Sequence, residues 1–265
     1  MTDDSLSGPA APADTRWASG DRKRGYVLTI GATGRVVSSA AGPTDAGMSW
    51  HDVAVHVPAG TAIPGPISVA TLSPDGTMIA ALSGEADSGA ADARLLVIDR
   101  GSGATRVVAL RAIVDGRPPV WIGDRRVIVP LRDTEDRTAL AVVEVATGSI
   151  ASVLGTSGAI AASGDGSTIV MVRPDEPDVV RTGRAEAYLA GQDLTAVPIG
   201  NTAHQTAAQL LLDRAGTALA VAWLDETGDT IAVGVYRRGP FGWTLIGEAP
   251  LPGGATRAEL VGYDP

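Results

Sequence analysis

The sequence predicts an all-β chain, and three observations predict it. Apolar runs of strand length alternate with turns that carry Asp or Gly, 33 Gly and 17 Pro are spread along the 265 residues, and the apolar 45% is built from Val, Ala, Leu and Ile with one Phe, Phe241. Val and Ile are stiff at the first side-chain torsion and suit strands, whereas Gly and Pro punctuate. No segment sustains the 3.6-residue period of a long helix, which sets aside a parallel α/β fold.

Residues 1–24 are rich in Ser, Ala, Pro and Asp without periodicity and are expected to be a disordered tail, leaving 25–265 as one domain. Within that domain a two-strand unit recurs: Val69–Leu82, Val120–Leu131, Ala159–Val172 and Gln209–Trp223. Each is followed by a polar loop and a second hairpin, at Leu95–Leu110, Leu140–Leu154, Ala187–Ile199 and Thr230–Leu251. The turn glycines Gly76, Gly123, Gly166 and Gly216 lie 47, 43 and 50 residues apart, which is the length of a four-stranded propeller blade.

The ends extend the pattern. Ala258–Pro265 matches the first strand of a unit, while Tyr26–Ile30, Val36 onward and Asp52–Val57 supply strands with no partner before them. The expected architecture is therefore a β-propeller of five four-stranded blades, the fifth closed by pairing N- and C-terminal strands so that no long edge is exposed. In an alternative register Thr15–Ser19 is a strand and residues 40–66 are an insertion; the runner-up fold is a two-sheet β-sandwich. The hairpin LSPDGTMIAAL at Leu72–Leu82 followed by LLVIDRGSGATRVV at Leu95–Val108 resembles the repeats of bacterial TolB-like and YVTN-type propellers of the WD40-like class. The resemblance implies that each unit is an inner and then an outer pair of blade strands. It concerns fold, because the Ser-Pro-Asp-Gly turn occurs once, at Ser73–Gly76, and there is no Trp-Asp dipeptide.

Thirty acidic against 21 basic residues give a formal charge of −9, which opposes binding to nucleic acid or an anionic membrane surface. The absence of Cys excludes thiolate metal sites and Cys nucleophiles. No apolar run approaches the ~20 residues of a membrane span, and no signal peptide opens the chain. A cytoplasmic protein is expected, or an extracytoplasmic one whose leader has been removed.

Acidic residues recur in the segments expected to join second to third strands, which in a propeller open on the face that usually holds the binding site. They are Glu85, Asp87 and Asp92; Asp133, Glu135 and Asp136; Asp175, Glu176 and Asp178; and Asp225, Glu226 and Asp229. Five bases, Arg132, Arg137, Arg173, Arg181 and Arg184, share these segments, so most of the negative charge falls on one rim. Asp115, Asn201 and His204 are candidates for the channel mouth, His204 being the best placed general base; His51 and His56 are five apart and point to opposite faces of a strand. The loops lack EF-hand spacing, so Ca²⁺ is a minor expectation and no cofactor is predicted. There is no G-x-S-x-G, and Gly31–Gly34 and Gly101–Gly103 read as turns. Glycosidase chemistry needs two carboxyls beside aromatic platforms, and of Trp50, Trp121, Trp223 and Trp243 the second and third read as strand core.

These features favour a non-enzymatic, monomeric binding or scaffold module that recognises a peptide, protein or small ligand at the acidic rim. The alternative is a metal-dependent hydrolase or lactonase with its site at the channel mouth.

Overall fold

The computed structural model describes residues 16–17, 25–26, 29–30, 35–44, 47–56, 67–84, 92–114, 117–132, 135, 138–154, 158–173, 175–199, 206–224 and 230–250. Strands β1 (Arg16–Trp17), β2 (Gly25–Tyr26), β3 (Thr29–Ile30), β4 (Arg35–Thr44) and β5 (Gly47–His56) form an N-terminal sheet. In it β5 pairs with β4 along its whole length, so β2 and β3 share the other edge of β4, and β1 pairs with β3.

Four blades follow. The first is β6 (Ile67–Leu72), β7 (Met78–Ser83), β8 (Arg94–Asp99) and β9 (Thr105–Ala109). The second is β10 (Ile113–Val114), β11 (Val120–Ile122), β12 (Arg126–Arg132), β13 (Thr138–Glu144) and β14 (Ser149–Leu154). Here β10 and β11 divide the innermost position, both pairing with β12; Pro118 and Pro119 lie between them and carry no N–H for the ladder. The third is β15 (Ala159–Ala162), β16 (Thr168–Arg173), β17 (Glu176–Arg184) and β18 (Thr195–Pro198), with a short helix α1 (Ala185–Leu189) before β18. The fourth is β19 (Thr206–Leu212), β20 (Ala218–Leu224), β21 (Thr230–Gly239) and β22 (Gly242–Pro250). Apart from β10, which pairs past β11 with β12, every pairing in these blades is antiparallel between sequence neighbours, the arrangement that chains of hairpins produce.

Period-2 alternation gives each blade two buried faces. Ala80, Leu82, Leu95 and Val97 of the first blade meet Trp121, Val127, Val129 and Val143 of the second. The other face of the second blade, with Ile122, Ile128, Leu140 and Val142, meets Ile160, Ile169 and Met171 of the third. Val170, Val172 and Val180 of the third meet Leu210, Leu219, Val221 and Trp223 of the fourth. Side chains of this size contribute about 1.5–3 kcal/mol each when fully buried. Ile79, Ala81, Leu96 and Ile98 point away from the second blade, yet all are 0% exposed. The N-terminal sheet lies on that side, β1 beside β6 and β5 beside the outer strand β22, and so occupies the gap between the fourth blade and the first.

The propeller expected from the repeats is therefore present, with these corrections. Four four-stranded blades are found instead of five. The N-terminal strands assemble a sheet of their own, in which β4 and β5 pair over ten residues while β1, β2 and β3 are two residues each; Ala258–Pro265, the proposed C-terminal partner, lies outside the described residues. Arg16–Trp17, inside the segment expected as a tail, is strand β1. In the third blade the hairpin expected over Ala187–Ile199 is helix α1 plus β18, and the third strand is β17, drawn from what read as an acidic loop. Val179 and Val180 supply its β preference, while Pro177 and the flanking charges obscured the alternation.

Candidate functional site

The ring has two unlike faces. On one, each first strand turns into the second: residues 73–77, 123–125, 163–167 and 213–217. Ser73 Oγ donates to Asp75 (2.6 Å) and accepts from Met78 N–H (2.9 Å), while Asp75 also accepts Thr77 N–H (2.9 Å). Ser163, Asp165, Ser167 and Thr168 repeat the scheme with the same distances. In the fourth blade Asp213, 2% exposed, does the work of both residues: its carboxylate accepts Thr217 N–H (2.6 Å), Ala218 N–H (2.9 Å) and Thr217 Oγ1–H (2.7 Å).

These turns converge. Asp75 N–H donates to Asp124 (3.2 Å) and Asp165 N–H donates to the Arg214 carbonyl (3.0 Å), linking the first blade to the second and the third to the fourth. Gly166 lies so close to Gly123 that a Cβ added to Gly166 would sit 2.9 Å from the Gly123 nitrogen. Burial, reinforced by the Asp75 charge, raises the Asp124 carboxyl above its ordinary value. At Asp165 burial acts in the same direction, but hydrogen bonds from Ser163 and Ser167 and the charge of Arg214 outweigh it and lower the carboxyl. Asp75, Asp165 and Asp213 are spent on their own turns and Asp124 on the Asp75 N–H, and among the described residues no group of three or more His, Cys, Asp or Glu could hold a metal ion.

On the opposite face the second strands run into the third. The flanking pairs are Ser83↔Arg94, Arg132↔Thr138, Arg173↔Glu176 and Leu224↔Thr230, so the strand ends that bound the connections 84–93, 133–137, 174–175 and 225–229 lie on this face. Of the residues singled out from sequence, Asp92 and Glu135 are described, and both are exposed. Glu85, Asp87, Asp133, Asp136, Asp225, Glu226 and Asp229 lie outside the described residues, as do the channel-mouth candidates Asp115, Asn201 and His204. The third segment shrinks to Pro174 and the exposed Asp175. Glu176 and Asp178 belong to β17, where Glu176 accepts from Arg181 (2.5 Å) across the irregularity after Val172. Within the four connections the chain carries ten acids and one base, Arg137, with Arg94, Arg132 and Arg173 at the strand ends.

Three of the four tryptophans weighed as sugar platforms are core. Trp121 is 5% exposed and donates through Nε1 to the Thr71 carbonyl (3.3 Å), and Trp223 packs edge-on against Tyr236 with centroids 6.5 Å apart. Trp243 is 6% exposed in the same cluster. Sequence reasoning passed over the convergence of the turn face, whose signal was the Ser-x-Asp-Gly pattern at Ser73–Gly76 and Ser163–Gly166. It also passed over Phe241, read only as the lone Phe and found 98% exposed at a hairpin tip.

No protein-family model and no curated protein matches the chain. Solved structures do. TolB from Acinetobacter baumannii superposes with a TM-score of 0.53 at 13% identity, over 88% of this chain and 55% of that one. A chain of the mitotic checkpoint complex gives 0.48 at 12% identity, over 91% of this chain and 80% of that one. A chain of Kuenenia stuttgartiensis hydrazine synthase gives 0.47 at 13%, over 72% of this chain and 52% of that one. The chain spans about half the length of the TolB and hydrazine synthase chains. At such identity the likeness to TolB is one of architecture alone, and it agrees with the ring of antiparallel blades in making the fold a β-propeller.

Proposed function

We propose that the chain is a non-enzymatic binding module that receives a cationic peptide or protein segment on the face formed by the connections 84–93, 133–137, 174–175 and 225–229. One observation carries the reading: the sequence holds ten acids against one arginine in four connections whose flanking strand ends share a face. Low-dielectric walls around such a rim focus its field and raise the encounter rate of an oppositely charged partner at low salt. On the opposite face Asp75, Asp124, Asp165 and Asp213 are engaged by the turns.

The test is titration of a lysine-rich peptide, followed by fluorescence anisotropy at low and at physiological salt. Neutralising Glu85, Asp87, Asp92, Asp133, Glu135, Asp136, Asp225, Glu226 and Asp229 to their amides is expected to weaken binding at least tenfold and flatten its salt dependence. A control variant neutralises the exposed Asp99, Glu186 and Asp193 of the other face and is expected to bind like the parent. Equal losses in both variants would reduce the effect to net charge and overturn the reading.

A further inference from the structure

The hairpin between β21 and β22 presents the combination of side chains that protein interfaces select. Gly239 pairs with Gly242, leaving Pro240 and Phe241 as a two-residue tip. Phe241 is 98% exposed, and behind it along β22 Leu245 and Ile246 are 48% and 50% exposed. The other described aromatics of this blade, Trp223, Tyr236 and Trp243, are buried, so core packing does not account for the position of Phe241. Pro240 fixes its own φ and stiffens the tip, which lowers the ordering cost of using the ring as an anchor.

Charge surrounds the tip. Arg238 pairs across the strands with Trp243 and Arg237 with Thr244, so the two arginines stand on opposite faces of the hairpin. Both are exposed, and among the described residues neither has a carboxylate partner. The Arg238 N–H donates to the Thr217 carbonyl (2.8 Å), tying the hairpin to the turn that exposes Arg214. The acid of that turn, Asp213, is buried with both oxygens engaged. In a chain of formal charge −9 this corner is a cationic, apolar spot on the face away from the acidic rim. Aromatic and Arg side chains are those that dominate interface energetics.

We propose that Phe241, Arg237 and Arg238 form a docking tip for a partner protein segment that places carboxylates on either side of an apolar side chain. The aromatic ring takes the apolar contact and the two guanidiniums take the carboxylates, one from each face of the hairpin. This site is separate from the acidic rim and takes a partner of opposite charge.

The test is an amide-resolved NMR titration of the full chain with a synthetic peptide of alternating glutamate and leucine, beside an all-glutamate peptide and one of alternating lysine and leucine. Saturable shifts confined to residues 237–246 are expected for the glutamate–leucine peptide. Phe241→Ser is expected to weaken that binding about tenfold. The double substitution Arg237→Glu, Arg238→Glu is expected to abolish it and to transfer preference to the lysine–leucine peptide. All three positions are solvent-facing, so the variants are expected to keep the parental Tm. Absence of saturation at the tip, equal binding of the all-glutamate peptide, or shifts produced only by phosphatidylserine vesicles would each overturn the proposal. So would concentration-dependent self-association that Phe241→Ser removes.

Discussion

The two faces of the ring are made by the same strands and could hardly differ more. Where first strands meet second strands the turns are short, glycine-centred and bonded to one another across blades; where second strands meet third strands the connections are acidic and share no such scheme among the described residues. A repeat therefore fixes its geometry at the turn end. Stability belongs to the first face, and the chemistry of recognition is proposed for the second.

The sharpest way to break that contrast is at Gly166. Its φ of +72° is the left-handed region, and an added Cβ would meet the Gly123 nitrogen at 2.9 Å, backbone that cannot swing aside. Gly166→Ala is expected to lose about 2–4 kcal/mol, the sum of left-handed strain and overpacking. Gly191 is the control: its φ is +84° but nothing lies within 4 Å of an added Cβ. Gly191→Ala is expected to lose only the strain, about 1–2 kcal/mol. Urea unfolding of the two variants measures the difference, and equal losses would mean that the turns do not brace one another.

A smaller effect is expected at Asp213, which holds two backbone donors and a hydroxyl in the fourth blade. Asp213→Ala leaves those groups without acceptors and is expected to cost about 1–3 kcal/mol. The corresponding Ser163→Ala removes one neutral hydroxyl from a turn that Asp165 still supports, and about 1 kcal/mol is expected. The same unfolding curves test the ranking, and a reversed order would deny that Asp213 replaces a Ser–Asp pair.

How much of this could be read from residues alone follows the same division. The paired hairpins of the first, second and fourth blades were legible because alternating Val, Leu and Ala flank glycine turns, as at Val69–Leu82. The third blade misled because β17 begins with Glu176, Pro177 and Asp178, residues that locally signal a loop and become strand through pairing with β16. The blade count was not legible because which strands fill the gap between the fourth and first blades depends on contacts far apart in sequence. Of the candidate site, the concentration of acids was visible as composition, whereas the loss of Glu176 to Arg181 required the register. Convergence of four turns, and the exposure of Phe241, are properties of the assembled ring that no single repeat encodes.

The finest probe of the turn face is its pH response, because Asp124 and Asp165 are perturbed in opposite senses. Asp124 is raised from an ordinary 3.8 by burial and by Asp75, so the folded state holds its proton more tightly than the unfolded chain. Stability from this group falls as pH rises from about 3.8 through the folded value. Asp124→Asn is thus expected to be more stable than the parent at neutral pH, with the gain vanishing below the unfolded value. Asp165 is lowered, so it contributes stability above an ordinary 3.8 that is lost as pH falls through the folded value. Asp165→Asn is expected to be less stable at neutral pH and to converge on the parent in acid. Both side chains are largely exposed, so screening keeps the effects small, and their opposite signs are what the experiment reads. Unfolding free energies of the two variants across pH 3 to 7, with carboxyl resonances followed by NMR, measure those signs. Slopes of the same sign would mean that the carboxylates titrate as independent surface groups and do not brace the turn face.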